Sequence, residues 1–361
     1  MINRILLIGA GAIAHHHATA ARKLSHVPKL IAADPNEPAR ARFLAAFPEA
    51  EVLATPEALL ALPREGVEVV IVATPPFLHY PQALAALRSG RHVLVEKPLA
   101  LEVGQAESLF AEAQSRGLEL ACCSSRFSSR VVTAEIRRRL LAGDIGDGWR
   151  VRWQVRSSGG VPGIDYQPES RWFLDRSKAG GGTLFDWGCY DVALWNEIFQ
   201  PEQVTVDAGW FGYPRRGTPA PSDLVFDVEH QVTSHLRLHC ANGRTVPVLF
   251  ERANTCYGGD LNITQIEGSR GALEWDWIDT GADKIRWFHE RAPGECVMDE
   301  AEAPADPAGI GIHDRPLHQL DKKLSGHAVS DVSGSQALFN FRVINAIGLV
   351  AQTGQAVTIT H

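Results

Sequence analysis

The chain has 361 residues, of which 45% are hydrophobic and 21% charged, and its formal net charge is -7 at pH 7. A single core stops growing at roughly 250–300 residues, so two domains are expected. The negative charge opposes binding to phosphate backbones and to anionic lipid, which argues against nucleic acid and membrane surfaces as partners.

The six cysteines are too sparse for a disulfide scaffold in a chain of this length. The first residues contain a basic side chain and an apolar run, as a secretory signal does, but the run is short and its glycines have another use. No run approaches the ~20 apolar residues of a membrane helix. We therefore expect reduced thiols and a cytoplasmic protein.

The first third of the chain alternates short apolar runs with helical patterns. The apolar runs that predict strands are 5–8, 30–33, 67–73, 93–95 and 118–122. The helical patterns lie at 12–24, 38–47, 81–88 and 101–116, with a further short helix that starts at Thr55. Apolar strands separated by helices predict a parallel sheet with helices on both faces, which is a doubly wound α/β domain of the Rossmann type.

The pattern changes after residue 122. Apolar and polar residues alternate at 149–157, 232–240 and 273–277, which predicts a mostly antiparallel sheet with one open face. Helices are predicted at 182–199 and 335–352, and the Pro, Gly and acidic residues of 292–311 predict a surface loop. We therefore expect a dinucleotide-binding domain at 1–122 and a larger α+β substrate domain at 123–361.

The first strand runs into the sequence LLIGAGAIA, in which Gly9, Gly11 and Ala14 have the G-x-G-x-x-A spacing. The first glycine permits a tight turn, the second lets the backbone approach a pyrophosphate, and the small third residue lets the helix pack on the strand. Ala12 and Ile13 continue into the helix N-terminus, which faces the phosphates. A glycine turn without a ligand has the same letters, but the flanking strand and helix favour dinucleotide binding.

Asp34 ends the second predicted strand. A carboxylate at this place accepts hydrogen bonds from the adenosine ribose hydroxyls and repels a 2′-phosphate, so NAD is the expected cofactor. Arg40 and Arg42 follow closely, and they leave NADP open as an alternative.

Two further strands end in sequences that point to the same edge of the sheet, where open α/β sheets bind ligands. In VATPPFLHY we expect Thr74 and Pro75 beside the nicotinamide, whereas His79 fits that place and a capping or packing role equally well. In HVLVEKPLA we assign Glu96 and Lys97 to the cofactor site. A lysine there can also hold a substrate hydroxyl and stabilise an alkoxide as hydride leaves.

The segment AGGGTLFDWGCY leads three glycines into a predicted helix that carries Asp186 and Tyr190. Their i, i+4 spacing places both on one face. Near Lys97 they would form a cluster in which the cation lowers the pKa of the tyrosine and makes it a better proton acceptor. The alternative is that Asp186 supports the start of the helix and Tyr190 packs in the core.

Three consecutive histidines, His15, His16 and His17, lie on the first helix. Neighbouring helix positions point about 100° apart, so the three rings cannot converge on one metal ion. We expect them to be surface or packing residues, and we predict no metal site.

Taken in order, the motifs GAGAIA, ATPPFLH, EKPLA and GGGTLFDWGCY resemble the glucose–fructose oxidoreductase / inositol dehydrogenase family (GFO/IDH/MocA). The resemblance extends over essentially the whole chain. It implies hydride transfer between NAD(P) and a sugar, cyclitol or related compound, and a homodimer or homotetramer formed through the second sheet. The family's lysine falls on Lys97, and its glycine-preceded aspartate falls on Asp186.

The sequence departs from the family pattern at two positions. Many members have histidine where this chain has Tyr190, although members that resemble glucose–fructose oxidoreductase and the dihydrodiol or xylose dehydrogenases have tyrosine. The usual aspartate three residues further on is Ala193, with Asp191 displaced, which leaves the substrate contacts open. In SSRF, Arg126 is equally consistent with substrate binding and with a structural salt bridge.

These residues favour a dehydrogenase or reductase in which Lys97 polarises the substrate oxygen, Tyr190 exchanges the proton and Asp186 orients the substrate. Two other functions remain open: an NAD-dependent glycosidase with transient redox chemistry, and a dinucleotide-binding regulator without catalysis. The sequence determines neither the substrate nor the direction of the reaction.

Overall fold

A computed structural model describes residues 1–213, 221–278, 284–304, 306, 309–329 and 334–361 of the chain. The chain divides into two units. The first comprises Met1–Arg126, Ser177–Gly180 and Ile310–Phe341, and the second comprises Phe127–Arg176, Gly181–Gly309 and Arg342–His361. Among the described residues, none of the helices combines the length and apolar character that crossing a membrane requires.

The α-helices of the described part are α1 (Ala12–Arg22), α2 (Glu37–Ala46), α3 (Pro56–Leu60), α4 (His79–Arg88), α5 (Val103–Ser115), α6 (Val131–Ala142), α7 (Arg176–Ala179), α8 (Cys189–Phe199), α9 (Arg315–Leu324) and α10 (Gly334–Thr353). The strands are β1 (Arg4–Ile8), β2 (Lys29–Ala33), β3 (Glu51–Leu53), β4 (Glu68–Val72), β5 (His92–Val95), β6 (Leu120–Cys122), β7 (Arg150–Arg156), β8 (Pro201–Gly212), β9 (Gln231–Cys240), β10 (Thr245–Ala253), β11 (Leu261–Glu267), β12 (Gly271–Trp275), β13 (Lys284–Ala292), β14 (Glu295–Glu302) and β15 (Val357–Thr360).

The first unit contains a parallel six-stranded sheet in the order β3-β2-β1-β4-β5-β6. Every residue of β1 and β4 is buried, and after the first residue of each strand, Arg4 and Glu68, both sequences are apolar throughout. Ile8 lies opposite both Ala33 and Val72, so β1, β2 and β4 end level with one another. The predicted Rossmann sheet is confirmed, and its register brings the loops after these strands to one edge.

The second unit contains a nine-stranded sheet in the order β14-β13-β12-β11-β7-β10-β9-β8-β15. The strands pair antiparallel except for β10 and β7, which are parallel. Val151 and Trp153 of β7 are buried, whereas Arg150 is exposed, as the alternation predicts. The large, mostly antiparallel sheet expected from the sequence is therefore present.

The loop predicted at 292–311 is partly wrong, because Glu295–Glu302 forms β14. This strand pairs with β13 at the edge of the sheet, and seven of its eight residues are exposed. Its acidic side chains meet cations on β13, such as Glu300 with Lys284 at 2.8 Å and with Arg286 at 3.3 Å. A strand exposed on both faces lacks the apolar alternation that identifies strands in a sequence.

The predicted division at residue 122 differs from the two units of the structure, because α9 belongs to the first unit. Leu317 and Leu320 of α9 are fully buried in the core of the six-stranded sheet. Lys23 also pairs with Asp314 at 2.6 Å. A distant segment that completes a core leaves no signal near residue 122, so a single boundary cannot describe this chain.

Candidate functional site

The turn between β1 and α1 needs Gly9 for its own conformation. Gly9 has a φ of 104°, and a Cβ there would lie 2.6 Å from the carbonyl oxygen of Ala73. Its amide donates a hydrogen bond to the carbonyl oxygen of Ala33 at 2.8 Å. The first glycine of the motif therefore lets β1 turn closely over the ends of its two neighbours.

Gly11 has a different environment from Gly9. It is the N-cap of α1 with a φ of -76°, which any residue adopts, and a Cβ added there would meet nothing within 4 Å. The first turn, which begins with Ala12 and Ile13, contains no acidic side chain. The fold thus places open space at a helix N-terminus, where the peptide dipoles and N–H groups favour an anion.

This contrast gives a prediction for a matched pair of substitutions. Gly11→Ser is expected to weaken NADH binding by at least about tenfold, because the side chain occupies the space that a pyrophosphate would fill, while serine remains a good N-cap. Gly9→Ser is expected to lower the free energy of unfolding by roughly 1–3 kcal/mol, because its backbone is strained for any other residue. Thermal denaturation without cofactor and NADH titration measure the two effects. Equal stability losses in both variants would contradict the assignment.

Asp34, at the end of β2, reaches the same turn. Its Oδ2 accepts a hydrogen bond from the amide of Ala10 at 2.8 Å, and its Oδ1 accepts one from the amide of Asn36 at 2.8 Å. Arg40 donates to the carbonyl oxygens of Asp34 at 2.7 Å and Pro35 at 3.1 Å. Asp34 is therefore fixed beside the glycine turn, and the guanidinium of Arg40 holds the backbone of the loop after β2.

His79, at the start of α4, holds two turns together. Its ring is fully buried, with Nδ1 2.7 Å from the carbonyl oxygen of Pro98 and Nε2 2.8 Å from that of Thr74. Burial lowers the pKa of His79, whereas the two carbonyl contacts oppose this shift. The sequence left two roles open for His79, a place beside the nicotinamide and a capping or packing role. Its contacts are those of a packing residue. Thr74 itself donates to Gln82 at 2.6 Å.

Glu96 is buried at the exit of β5, with 5% of its surface exposed. Its Oε1 lies 2.9 Å from Nε2 of His17 and accepts a hydrogen bond from Arg126 at 2.7 Å. Its Oε2 accepts one from the amide of Lys97 at 3.2 Å. Burial by itself raises the pKa of Glu96, but the charge of Arg126 and the contact with His17 hold it well below its usual value. Arg126 thus forms the structural ion pair that was one of its two expected roles.

The three consecutive histidines lie against different partners, as their spacing predicted. His15 packs edge-on to Phe43 with ring centroids 5.2 Å apart, and His16 stacks on His313 at 4.2 Å. Burial, followed by the charge of Arg126, lowers the pKa of His313 to about 4. Only His17 of the three reaches a carboxylate in the described structure.

One group of potential metal ligands does occur among the described residues. Side-chain donor atoms of His17, Glu96 and Cys123 lie within 4.8 Å of one another, and all three residues are buried. The guanidinium of Arg126 already neutralises the carboxylate, and burial raises the pKa of the Cys123 thiol well above its usual value. A cysteine binds zinc as a thiolate, and a metal ion here would add positive charge beside Arg126, so the charges favour a hydrogen-bonded cluster.

In the second unit, a buried glutamate fixes the glycine-rich segment before α8. Oε1 of Glu229 accepts hydrogen bonds from the amides of Gly182 at 2.8 Å and Leu184 at 3.3 Å. A Cβ at Gly182 would lie 1.8 Å from the carbonyl oxygen of Glu229, so only glycine fits there. Glu229 thus anchors the segment that carries Asp186.

The predicted helix 182–199 is not regular. Leu184–Gly188 forms a π-helical turn, and α8 begins at Cys189. Asp186 therefore lies in the wide turn and Tyr190 in α8, so their i, i+4 spacing is not that of one regular helix. Gly188 makes the wide turn compatible with close packing, because a Cβ there would lie 2.9 Å from the side chain of Leu184.

Tyr190 is 3% exposed and lies in an aromatic cluster. Its ring packs edge-on to Phe127 at 5.0 Å and to Trp187 at 5.8 Å. Asp186 is half-buried, and its charge, after burial, contributes to a raised pKa of Tyr166. The structure thus brings a carboxylate and two phenols into one region of the second unit.

Asp191, next to Tyr190, has a structural partner. It is fully buried and accepts hydrogen bonds from Trp153 at 2.7 Å and from Nε of Arg252 at 3.0 Å. Burial raises the pKa of Asp191, against the opposing charge of Arg252. The displaced aspartate noted in the sequence therefore neutralises a buried cation. Ala193, at the usual aspartate position, is also buried.

Comparison with known proteins agrees with both units. Residues 3–122 match the oxidoreductase family with an NAD-binding Rossmann fold, and residues 133–274 match the GFO/IDH/MocA C-terminal domain. The chain belongs to the GFO/IDH/MocA oxidoreductase family. Its first unit is accordingly an NAD-binding Rossmann domain.

The GFO/IDH/MocA relatives include a dTDP-3,4-didehydro-2,6-dideoxy-alpha-D-glucose 3-reductase of Streptomyces antibioticus, 31% identical over 64% of this chain and 68% of the relative. An uncharacterized oxidoreductase of Synechocystis sp. is 29% identical over 60% of this chain, and the match spans 56% of its length. The solved structure of levoglucosan dehydrogenase with NADH has the same fold, with a TM-score of 0.80, full coverage of both chains and 19% identity.

Sequence reasoning missed the contacts of two residues in this family member. His17 lies on the buried face of α1 with Ala14, Ala18 and Ala21, and a polar residue on such a face needs a partner. That signal could have predicted a contact, although not its identity. Glu229 lies far along the chain from the glycines that it anchors, and no local pattern points to it.

Proposed function

We propose that the chain is an NAD-dependent oxidoreductase that moves hydride between the nicotinamide and a secondary hydroxyl or carbonyl carbon of a sugar, cyclitol or related molecule. The observation that carries NAD binding is the open space at Gly11, at the N-terminus of α1 and beside the fixed carboxylate of Asp34. The substrate class rests on relatives whose names describe a sugar 3-reductase and a levoglucosan dehydrogenase.

Residues of the chain stabilise charge, transfer the proton and orient the substrate. Bound NAD accepts or supplies the hydride. Lys97 carries a positive charge that stabilises the developing alkoxide. Tyr190 takes up or returns the hydroxyl proton, and Asp186 accepts a hydrogen bond from a neighbouring substrate hydroxyl and so orients the ring. Thr74 and Pro75 border the nicotinamide.

Preference for NAD over NADP follows from Asp34. Its carboxylate is held by the amides of Ala10 and Asn36, so a 2′-phosphate would meet a fixed negative charge. Nη1 of Arg40 donates to the backbone carbonyls of Asp34 and Pro35, so this donor is already occupied by the protein.

Asp34→Ser is therefore expected to tighten NADPH binding on the order of tenfold and to weaken NADH binding, because a repulsive charge and a ribose acceptor are both lost. Serine keeps a hydrogen-bond acceptor for the loop. Titration of both reduced cofactors measures the change, with Asp223→Ser on an exposed turn as control. Unchanged cofactor preference in the Asp34 variant would remove Asp34 from this role.

The experiment that tests the proposed function is a fluorescence titration with NADH and NADPH, followed by a panel of sugars and polyols. Tight NADH binding and turnover of at least one panel member support the proposal. Cleavage of a glycoside without net redox change would assign the chain to NAD-dependent glycosidases. Cofactor binding without turnover of any substrate would instead favour a regulator, and failure to bind either cofactor would overturn the proposal.

We also propose that the protein acts in the cytoplasm as a homodimer or homotetramer formed through the second sheet. The sparse cysteines and the net negative charge fit a reducing compartment and a small-molecule role. Trp210 of β8 supports self-association, because it is 55% exposed and packs only edge-on to His235 among its described ring contacts, and aromatic side chains are enriched at protein interfaces. Light scattering of the purified protein tests the oligomeric state.

A further inference from the structure

The carboxylate of Glu96 connects three segments of the first unit. Oε1 contacts His17 of α1 at 2.9 Å and Arg126 at 2.7 Å, and Oε2 accepts the amide of Lys97 at 3.2 Å. Each of these side chains except that of Lys97 is more than nine-tenths buried. The carboxylate is therefore bound by protein donors and is not directed at a ligand.

The ring of His17 donates to this carboxylate from Nε2. Its Nδ1 is buried without a hydrogen-bond partner among the described residues, so a second proton on the ring would be a buried donor without an acceptor. The Nε2 proton of the ring is therefore directed at Oε1 of Glu96. His17 thus donates a hydrogen bond to a carboxylate whose charge Arg126 already balances.

The hydrogen bond between His17 and Glu96 joins two parts of the candidate site. His17 is on α1, whose N-terminus carries the open space at Gly11, and Glu96 precedes Lys97 directly. One hydrogen bond thus connects the helix of the candidate pyrophosphate site with the peptide of the candidate catalytic lysine. Displacement of a reacting group by about 1 Å can cost on the order of 100-fold in rate.

We propose that His17 is a positioning residue, which holds Glu96 against the Lys97 amide and so fixes the Lys97 side chain for hydride transfer. The proposal rests on the proposed function for its catalytic part. Its structural part, the dependence of the Lys97 environment on His17, stands without cofactor or substrate.

Two substitutions of His17 distinguish the effect of its hydrogen bond to Glu96 from the effect of having any polar side chain at this position. In His17→Gln the amide nitrogen reaches about as far as Nε2 does, so it can still donate to Glu96. In His17→Asn the amide is one carbon shorter and reaches only the place of Nδ1. His26→Asn, at an exposed position, controls for the loss of a histidine.

The first measurement uses the protein without cofactor. Lysine amines are labelled by reductive methylation with ¹³C, the Lys97 signal is assigned with Lys97→Arg, and its pH titration is followed by NMR. We expect His17→Asn to shift the signal and its titration, and His17→Gln and His26→Asn to resemble the parent protein. An identical Lys97 signal in every variant would overturn the proposal.

The second measurement separates kcat from cofactor binding. His17→Asn is expected to lower kcat on the order of 10–100-fold with NADH affinity changed only a few-fold, and His17→Gln is expected to restore most of kcat. If the parent protein binds no NADH, the proposed function fails, while the NMR result still decides the link between His17 and Lys97. Stoichiometric zinc that is lost in His17→Asn would overturn the proposal by assigning the cluster to a metal.

Discussion

Lys97→Met is expected to lower kcat on the order of 10²–10⁴-fold while the affinity for NADH changes only a few-fold. The substitution keeps an unbranched side chain of similar length and removes the charge that stabilises the alkoxide. Its backbone amide, which donates to Glu96, is kept, so the turn after β5 should retain its conformation. Steady-state kinetics and NADH titration of the same preparation measure the two quantities.

The matched control is Lys322→Met, which removes an exposed lysine of α9. It should leave both kcat and NADH affinity unchanged. Lys97→Arg is informative as well, because a guanidinium keeps the charge but differs in shape, so partial activity is expected. Near-normal turnover of Lys97→Met would remove Lys97 from the mechanism, and loss of NADH binding would show that its role is in cofactor binding.

The Rossmann domain could be predicted because its strands are buried on both faces. Burial of a whole strand leaves a nearly continuous apolar run in the sequence, as in residues 5–8 of β1 and 69–72 of β4. The short helix predicted to start at Thr55 is present as α3, and Thr55 caps it, since its side chain accepts a hydrogen bond from the amide of Ala58 at 3.2 Å. These features are local, so the sequence carries them in adjacent letters.

The features that escaped prediction depend on contacts between distant residues. The strand β14 is held by hydrogen bonds and ion pairs to β13 and is not half-buried, so its acidic sequence resembles a loop. The buried position of α9 in the first unit depends on Leu317 and Leu320, far from the strands on which they pack. Helical periodicity can identify such a segment as amphipathic but does not give its partner.

In the candidate site, too, the residues of local motifs could be predicted, whereas the hydrogen bonds between distant residues could not. Gly9, Gly11 and Asp34 lie close together because they follow β1 and β2, two neighbouring strands that end at the same level. The spacing of these residues in the sequence predicted this arrangement. The sequence singles out both His17 and Glu96, but it does not predict their contact. That contact joins α1 to the residue that follows β5. A motif gives residue types, whereas the hydrogen bonds that orient them come only with the fold.

Tyr190→Phe is expected to lower kcat by about 10²–10³-fold, because the proton of the substrate hydroxyl would lose its acceptor. The ring should stay in place, since its edge-on contacts with Phe127 and Trp187 involve the ring and not the hydroxyl group. NADH affinity should remain unchanged, because the residue belongs to the second unit and not to the cofactor-binding domain. Rates measured across pH should also lose the limb that reports the phenol.

Tyr213→Phe, at a tyrosine that is 47% exposed, is the control for removal of a phenolic hydroxyl. It should leave the rate and its pH dependence unchanged. A Tyr190→Phe enzyme with a reduced rate but the parent pH profile would show that the hydroxyl binds substrate without exchanging its proton. That outcome would direct the search for the proton acceptor to Asp186, the half-buried carboxylate of the π-helical turn Leu184–Gly188.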